Sequence, residues 1–305
     1  MSRNGWIALL AALGVAAAAV AGALLAKGST DSTPQQRAPT APTSAQGFSL
    51  PLALSSSSLA LAKHEGNLLV GIAARPGGPV EVAALRAETP LATDELRVEV
   101  GHHNLDAEPC GRGCSRVAAP VLNGSPVRLS VRAGSSRLSF ALPARLPADG
   151  DDVLARAEHT MGRLHSYRFT ERLSSGAETV TTKLEVQAPD RLRLRTSTGF
   201  RSVIIGRNRW DFAKGHWEHV PFPGLDVAGV LMWSRAKHPR IITRRPHRIT
   251  ELAAFGLQPV PAWFRVAVNP SGRVVEAEMI AASHFMVHRY SDFNSSVSIR
   301  PPVRR

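Results

Sequence analysis

Residues 263–299, WFRVAVNPSGRVVEAEMIAASHFMVHRYSDFNSSVSI, decide how the rest of the chain is read. Phe264, Val266 and Val268 alternate up to a turn at Asn269 to Gly272, and from Val274 the chain runs back through a second, longer extended segment. That pattern predicts a hairpin finishing a sheet. Its far arm carries His284, Met286 and His288 on alternate residues, which in a strand share one face. The same reading puts Met279 on the opposite face of one regular strand. Imidazole and thioether suit Cu(I), so the three form a candidate copper site. Methionine as core filler and histidine held by a backbone or carboxylate partner are the structural alternative, and the one favoured here.

Working outward, 305 residues suffice for two domains with cores of their own. The formal charge of +13 is carried mostly by arginine and is unevenly placed: from Arg191 to Arg248 thirteen basic residues face three acidic ones. Such a block favours anionic partners, or is simply a solvated sheet face. Arg191, Arg193, Arg195, Arg244, Arg245 and Arg248 are the candidates for anionic headgroups at a membrane surface. Trp210 and Trp217 beside the basic block are the only support for nucleic-acid binding, which an exported location argues against.

That location rests on the N-terminus. From Trp6 to Ala26 the chain has 21 uncharged residues, with Arg3 before and Lys27 after. At about 1.5 Å per residue this matches the hydrocarbon thickness of a bilayer. Residues 1–27 are therefore read as a transmembrane anchor, or as a signal segment, since Ala19-Val20-Ala21 and Ala21-Gly22-Ala23 fit a small-x-small cleavage pattern. The expectation is a single-pass membrane protein with an extracytoplasmic body, or a secreted one if the segment is cleaved. Residues 28–47, rich in Ser, Thr, Pro, Gln and Ala, read as a flexible linker.

Residues 48–145 read as short strands separated by Pro76-Gly77-Gly78, Asn123-Gly124 and Ala133-Gly134-Ser135, the spacing of an Ig-like β-sandwich. Within it Cys110 and Cys114 are the chain's only cysteines. An exported context points to a disulfide closing a tight loop, and a thiolate site with His102 or His103 stays open beside it. Residues 150–302 follow as a second domain, and 303–305 as a basic tail. Val153, Leu154, Ala157, Met161 and Leu164 place one apolar stripe on a helix started by Asp149 or Asp151. Arg and Leu alternate strictly in RLRLR from Arg191, so Leu192 and Leu194 point inward. The fold class is therefore α+β: a membrane helix, a β-sandwich, then one helix against a curved antiparallel sheet with a hollow between them.

The order helix, YRFTE, APDRLRL, IIGRNRW, GHW, WFRV, SGRVVEAEM, ASHFMVHRYSDFN, VSIRPP resembles the actinobacterial LppX/LprG lipoprotein family and its LolA-like relatives, over about residues 151–302. The resemblance implies a half-barrel sheet covered by helix, holding the acyl chains of a lipid or lipidated partner, without catalysis. The first domain, with LLVGIAARPG and the CGRGC loop, is similar to the β-domain following the membrane helices of actinobacterial CopD-like copper-transport proteins. This chain departs from those by having one membrane segment, and from lipoproteins by lacking a cysteine after it.

The pocket candidates are the inward apolar residues Leu154, Met161, Leu164, Leu192, Leu194, Ile204, Trp210, Phe212, Leu231, Trp233, Phe264 and Phe285. A ligand pocket and a closed core demand the same inward apolar period, so only the resemblance separates them. No Gly-x-Ser-x-Gly elbow, HExxH or Gly-rich phosphate loop occurs, and a non-catalytic role in envelope lipid or lipoprotein handling is expected. No cofactor is expected, copper apart. A copper-handling envelope accessory and a structural envelope module without ligand are the alternatives.

Overall fold

The computed structural model describes residues 54–175, 178–256, 261–282 and 284–302. The apolar run, the linker and the basic tail lie outside them. Strand accounts for 57% of what is described, with one α-helix. The α+β expectation with a membrane helix is thus corrected to a mostly β protein. Among the described residues no helix is long and apolar enough to cross a membrane. The single-pass placement, which rested on residues 1–27, has no support in the fold.

The described residues form three antiparallel sheets. In the first, β1 (Leu59–Glu65), β2 (Leu68–Ala74), β3 (Val80–Arg86), β8 (Cys114–Val117) and β7 (Ala107–Gly111) pair in that order, with β4 (Thr89–Pro90) beside β3. In the second the order is β10 (Ser136–Leu142), β9 (Val127–Ala133), β5 (Leu96–Val100), β6 (His103–Leu105). Leu59, Val70, Ile72 and Val82 of the first meet Leu129, Val131 and Phe140 of the second in one core, which makes a sandwich. Its order is not the ABED and CFG order of a constant-type immunoglobulin domain. Here β1, β2 and β3 are consecutive neighbours. Turns with φ above zero at Gly66, Gly77 and Gly134 let the chain reverse between adjacent strands.

The third sheet has eleven strands: β16 (His216–Pro221), β15 (Asn208–Ala213), β14 (Arg201–Ile205), β13 (Arg191–Thr196), β12 (Glu178–Gln187), β11 (Ser166–Ser175), β21 (His284–Ser291), β20 (Val274–Ala281), β19 (Ala262–Val268), β18 (Ile249–Gly256) and β17 (Lys237–Arg245). The closing stretch is therefore three strands rather than a hairpin. The longer segment reverses between Ala281 and His284, which pair with each other. Its last strand, β21, lies at the middle of the sheet against β11 instead of finishing an edge. The sequence gives no Gly, Pro or Asn at that reversal, so alternation alone reads through it.

One helix, α1 (Asp151–Gly162), covers this sheet. Asp149 accepts the backbone N–H of Asp151 at 2.7 Å, and Leu154, Ala157 and Met161 form its buried stripe. Eleven strands laid flat would span about 50 Å, whereas α1 is about 18 Å long. Yet Ile204 from β14 and Leu252 from β18 belong to one core with Leu154, so the sheet curls into a trough around its cover. The convex back of the trough presents Phe255, Trp263, Ile280 and Phe285 to Ala60, Leu69, Ala83 and Leu85 of the first sheet. That sheet is thus a middle layer, apolar on both faces, and every residue of LLVGIAA in β2 is buried.

Candidate functional site

The inner wall of the trough follows from the strand period and register. On β11, Tyr167, Phe169, Glu171 and Leu173 share one face, and opposite them on β21 stand Tyr290, His288 and Met286. On the other side Glu171 pairs with Thr182, and Thr182 with Thr196. A polar row therefore crosses an otherwise apolar wall: His288, Glu171, Thr182, Thr196. All four are buried, Glu171 at 3% exposed and His288 at 2%.

Buried polar groups cost least when partnered, and Glu171, His288 and Thr196 of the row are. A Glu171 carboxylate oxygen accepts from Nε2 of His288 at 2.9 Å, and the Tyr290 hydroxyl lies 3.1 Å from Nδ1. Burial pushes the phenols of Tyr167 and Tyr290 above their ordinary range, so both keep their protons, and the Tyr290 hydroxyl can donate to Nδ1 of His288. Thr196 Oγ1 lies 2.8 Å from that of Thr198. Deeper along the same wall the buried Arg209 donates to Asp211 at 2.7 Å, beside the buried Ser202.

The row divides the apolar lining in two. On one side lies the large core under α1, with Leu154, Met161, Leu164, Leu192, Leu194, Ile204, Leu231, Trp233 and Phe264. On the other Leu173 and Met286 form a small cluster, against which Met232 and Met279 pack partly exposed while also bordering the large core. The roof over the trough beyond the helix is residues 222–236, an irregular segment with two 3-10 turns, 228–230 and Met232–Arg235. Its Trp233 is fully buried. Apart from a bond from the Phe222 N–H to the Arg207 carbonyl, the backbone bonds of this roof are local turns, such as Ser234 to Leu231 and Ala236 to Trp233.

Nine of the twelve pocket candidates thus line one core and three do not. Trp210 pairs with Val203 and Phe212 with Arg201, so both stand on the outer face, opposite to Ile204. There Trp210 meets His219 and Phe212 meets Trp217 and the Arg201 guanidinium. Phe285 is also on the outside, with its ring 3.8 Å from that of His64. The alternation in HFMVHRY places it there, since it is one residue out of step with Met286.

The candidate metal set changes as well. Both ring nitrogens of His288 are engaged. Met279, expected on the opposite face, pairs with Met286 and shares its face, because the reversal between Ala281 and His284 resets the period. Cys110 and Cys114 are joined in a disulfide, which removes the thiolates from any site with His102 or His103. Among the described residues no three His, Cys, Asp or Glu side chains gather as a metal site. Of the headgroup candidates, Arg191 donates to the Ile299 carbonyl, Arg193 pairs with Glu185 and Arg245 with Glu251, while Arg195, Arg244 and Arg248 are exposed. A separate open groove of about 440 Å³ lies in the sandwich, lined by Thr93, Arg97, Val98 and Asn104 among others, remote in sequence from the trough strands.

Glu171, Tyr290 and Met232 were not singled out by sequence pattern. For Glu171 a signal existed, since in YRFTERL a carboxylate occupies the phase of Tyr167, Phe169 and Leu173.

No known protein family matches the chain, and no curated relative does. Several solved structures are similar in part, two from mycobacteria among them. The Mycobacterium tuberculosis lipoprotein LppX is 14% identical with a TM-score of 0.37, over 49% of this chain and 99% of that one. LprF from Mycobacterium bovis is 12% identical with a TM-score of 0.38, over 52% of this chain and 99% of that one. Similarity this shallow transfers neither ligand nor role.

Proposed function

We propose that this protein binds the apolar chain of a lipid or other amphiphile in the trough of its eleven-stranded sheet, without catalysing a reaction on it. The observation that carries the reading is the roof. Part of the apolar trough is closed by an irregular segment that is fastened by side-chain burial instead of a strand ladder. Leu225, Val227, Val230 and Met232 of this segment are only half-buried. An element held in this way opens more easily than one held by a ladder of backbone bonds.

The energetics permit an exchange. Lifting Leu231, Met232 and Trp233 out of the trough costs about 1.5–3 kcal/mol per side chain. Entry of an acyl chain returns about 0.8 kcal/mol per buried methylene, so about ten methylenes offset the roof. The polar row then marks a depth, because Glu171 and His288 already hold each other and a hydrocarbon tail lying against them gains less than against the apolar wall. The order of sequence motifs, with its resemblance to lipid-carrying half-barrels, points the same way.

The test is extraction of the purified chain, trimmed to begin at Gly47 so that every described element is kept, with organic solvent and mass spectrometry of the extract. Titration with a fluorescent fatty acid accompanies it. Bound amphiphile, or saturable probe binding near one per chain that Trp233→Leu alters, is expected. An empty extract together with no saturable probe binding overturns the reading.

A further inference from the structure

We propose that the outer compartment of the trough is a binding site for a soft monovalent metal ion, Cu(I) in chemical class, formed by the thioethers of Met232, Met279 and Met286 with the imidazole of His284. The chain has five methionines, of which Met1 begins it and Met161 sits in the helix stripe. The remaining three converge on one spot from three elements: Met279 on β20, Met286 directly opposite it on β21, and Met232 from the roof. Directly opposed residues on antiparallel strands hold their Cβ atoms about 4.5–5.5 Å apart, within reach of two flexible thioethers turning to one ion. Elsewhere the cores of this protein are built from Leu, Val, Ala and Phe. Met232 and Met279 also border the large core, yet each stays partly exposed, so its flexible thioether is free to turn toward an ion.

His284 supplies the second observation. It lies two residues before Met286 on the same strand and therefore on the same face, and it is partly exposed. Its Nδ1 is 3.0 Å from the Ala282 carbonyl. A carbonyl can only accept, so Nδ1 carries the proton and the neutral ring keeps its Nε2 lone pair unshared. A ring nitrogen donated to a backbone carbonyl is the arrangement that fixes a metal-ligating histidine in its tautomer. His288, with both nitrogens engaged, stands behind the site as part of the polar row and takes no part in it. Three thioethers and one imidazole make a soft, uncharged ligand set, which selects Cu(I) over Zn(II), Mg(II) or Ca(II). Binding is coordination alone, with no change of oxidation state. It ties the roof, through Met232, to the wall, and it requires no lipid, so it stands or falls separately from the amphiphile reading.

The experiment uses the full chain, free of any histidine tag, in detergent micelles, with methionine methyl groups carbon-13 labelled. Ag(I) serves as the redox-inert probe, followed by Cu(I) under ascorbate. Thiol reductants are avoided, because opening the Cys110–Cys114 disulfide would create competing thiolates. The expected result is one ion per chain, with the methyl signals of Met232, Met279 and Met286 shifted and those of Met1 and Met161 unmoved, assigned through single Met→Leu variants. Met279→Leu with Met286→Leu should weaken binding by at least about 100-fold, the upper scale on which altering only the groups behind metal ligands weakens a site. His284→Asn should weaken it less. Shifts confined to Met1 or Met161, unmoved methyls despite uptake, or uptake unchanged in the double variant overturn the proposal. Because the methyl readout is made on the unaltered sequence, it decides the matter even if the double variant fails to fold.

Discussion

A carboxylate and an imidazole lie side by side in the wall of the trough, each almost wholly removed from water. Removing one partner leaves the other without its bond, which is the expensive case, whereas replacing both by apolar groups removes the desolvation cost together with the bond. Glu171→Leu alone is therefore expected to lower unfolding free energy by about 3 kcal/mol, and His288→Leu by a similar amount, in the range for breaking a buried pair. The double variant should recover most of the loss, to within about 1 kcal/mol of the natural chain. Urea denaturation at neutral pH measures it, and additive losses would mean that the two groups are not coupled. The sequence placed Glu171 in the apolar phase, but its partner lies 117 residues away. Local pattern shows that a buried charge needs a partner. It does not show which strand supplies one, and this is why the alternation of His284, Met286 and His288 read as a single set when the structure separates His288 from the other two.

Among elements, the strands whose period was clean were legible. RLRLR, YRFTERL and WFRVAV all keep the faces their alternation predicts. What failed was phase transfer across an unmarked reversal, at Ala281 to His284, and across the hairpin from β14 to β15, where Trp210 and Phe212 were read as inward. The contact between β1 and β21 was beyond local reading altogether. His64 of β1 lies almost parallel to Phe285 of β21, at 5° between ring planes. Burial, with a smaller contribution from the charge of Arg172, holds the imidazole pKa below its ordinary value. A depressed histidine pKa means that the unfolded chain binds the proton more readily. Stability from this contact is thus complete above the unfolded value of about 6.5 and is lost as pH falls through the lower folded value. The natural chain should lose melting temperature on acidification from pH 7 through this window faster than His64→Phe does. Equal slopes in the two proteins would remove the stacked pair as a source of acid sensitivity. Glu278, on the same outer face, has its pKa raised, chiefly by burial, and titrates with the opposite sign. Its contribution is common to both proteins and cancels in the comparison.

The largest departure from the sequence reading is at the scale of the molecule. A boundary near 143–150 was expected from composition, and the segments on either side share a core. The first sheet is the middle of three layers, and β2 is buried on both faces because each face has its own partner. The composition of LLVGIAA held this information, since a strand solvated on one face would alternate. Gly71 of β2 tests how far the layers act together. A Cβ built there would lie 2.1 Å from Cζ2 of Trp263 on β19, far inside contact distance. Neither side can yield cheaply, because β2 is packed behind by the sandwich and Trp263 is buried beside Phe255. Gly71→Ala is therefore expected to cost about 1–3 kcal/mol, the usual range for overpacking. The loss should appear in both halves at once. Fluorescence of Trp210, Trp217, Trp233 and Trp263, all in the trough sheet or its roof, should report the same lowered midpoint as hydrogen exchange in β9 and β10 of the far layer. A midpoint that falls in β9 and β10 while the tryptophans keep theirs would show that the sandwich and the trough fold independently, and that the apolar back of the trough is a docking contact and not a shared core.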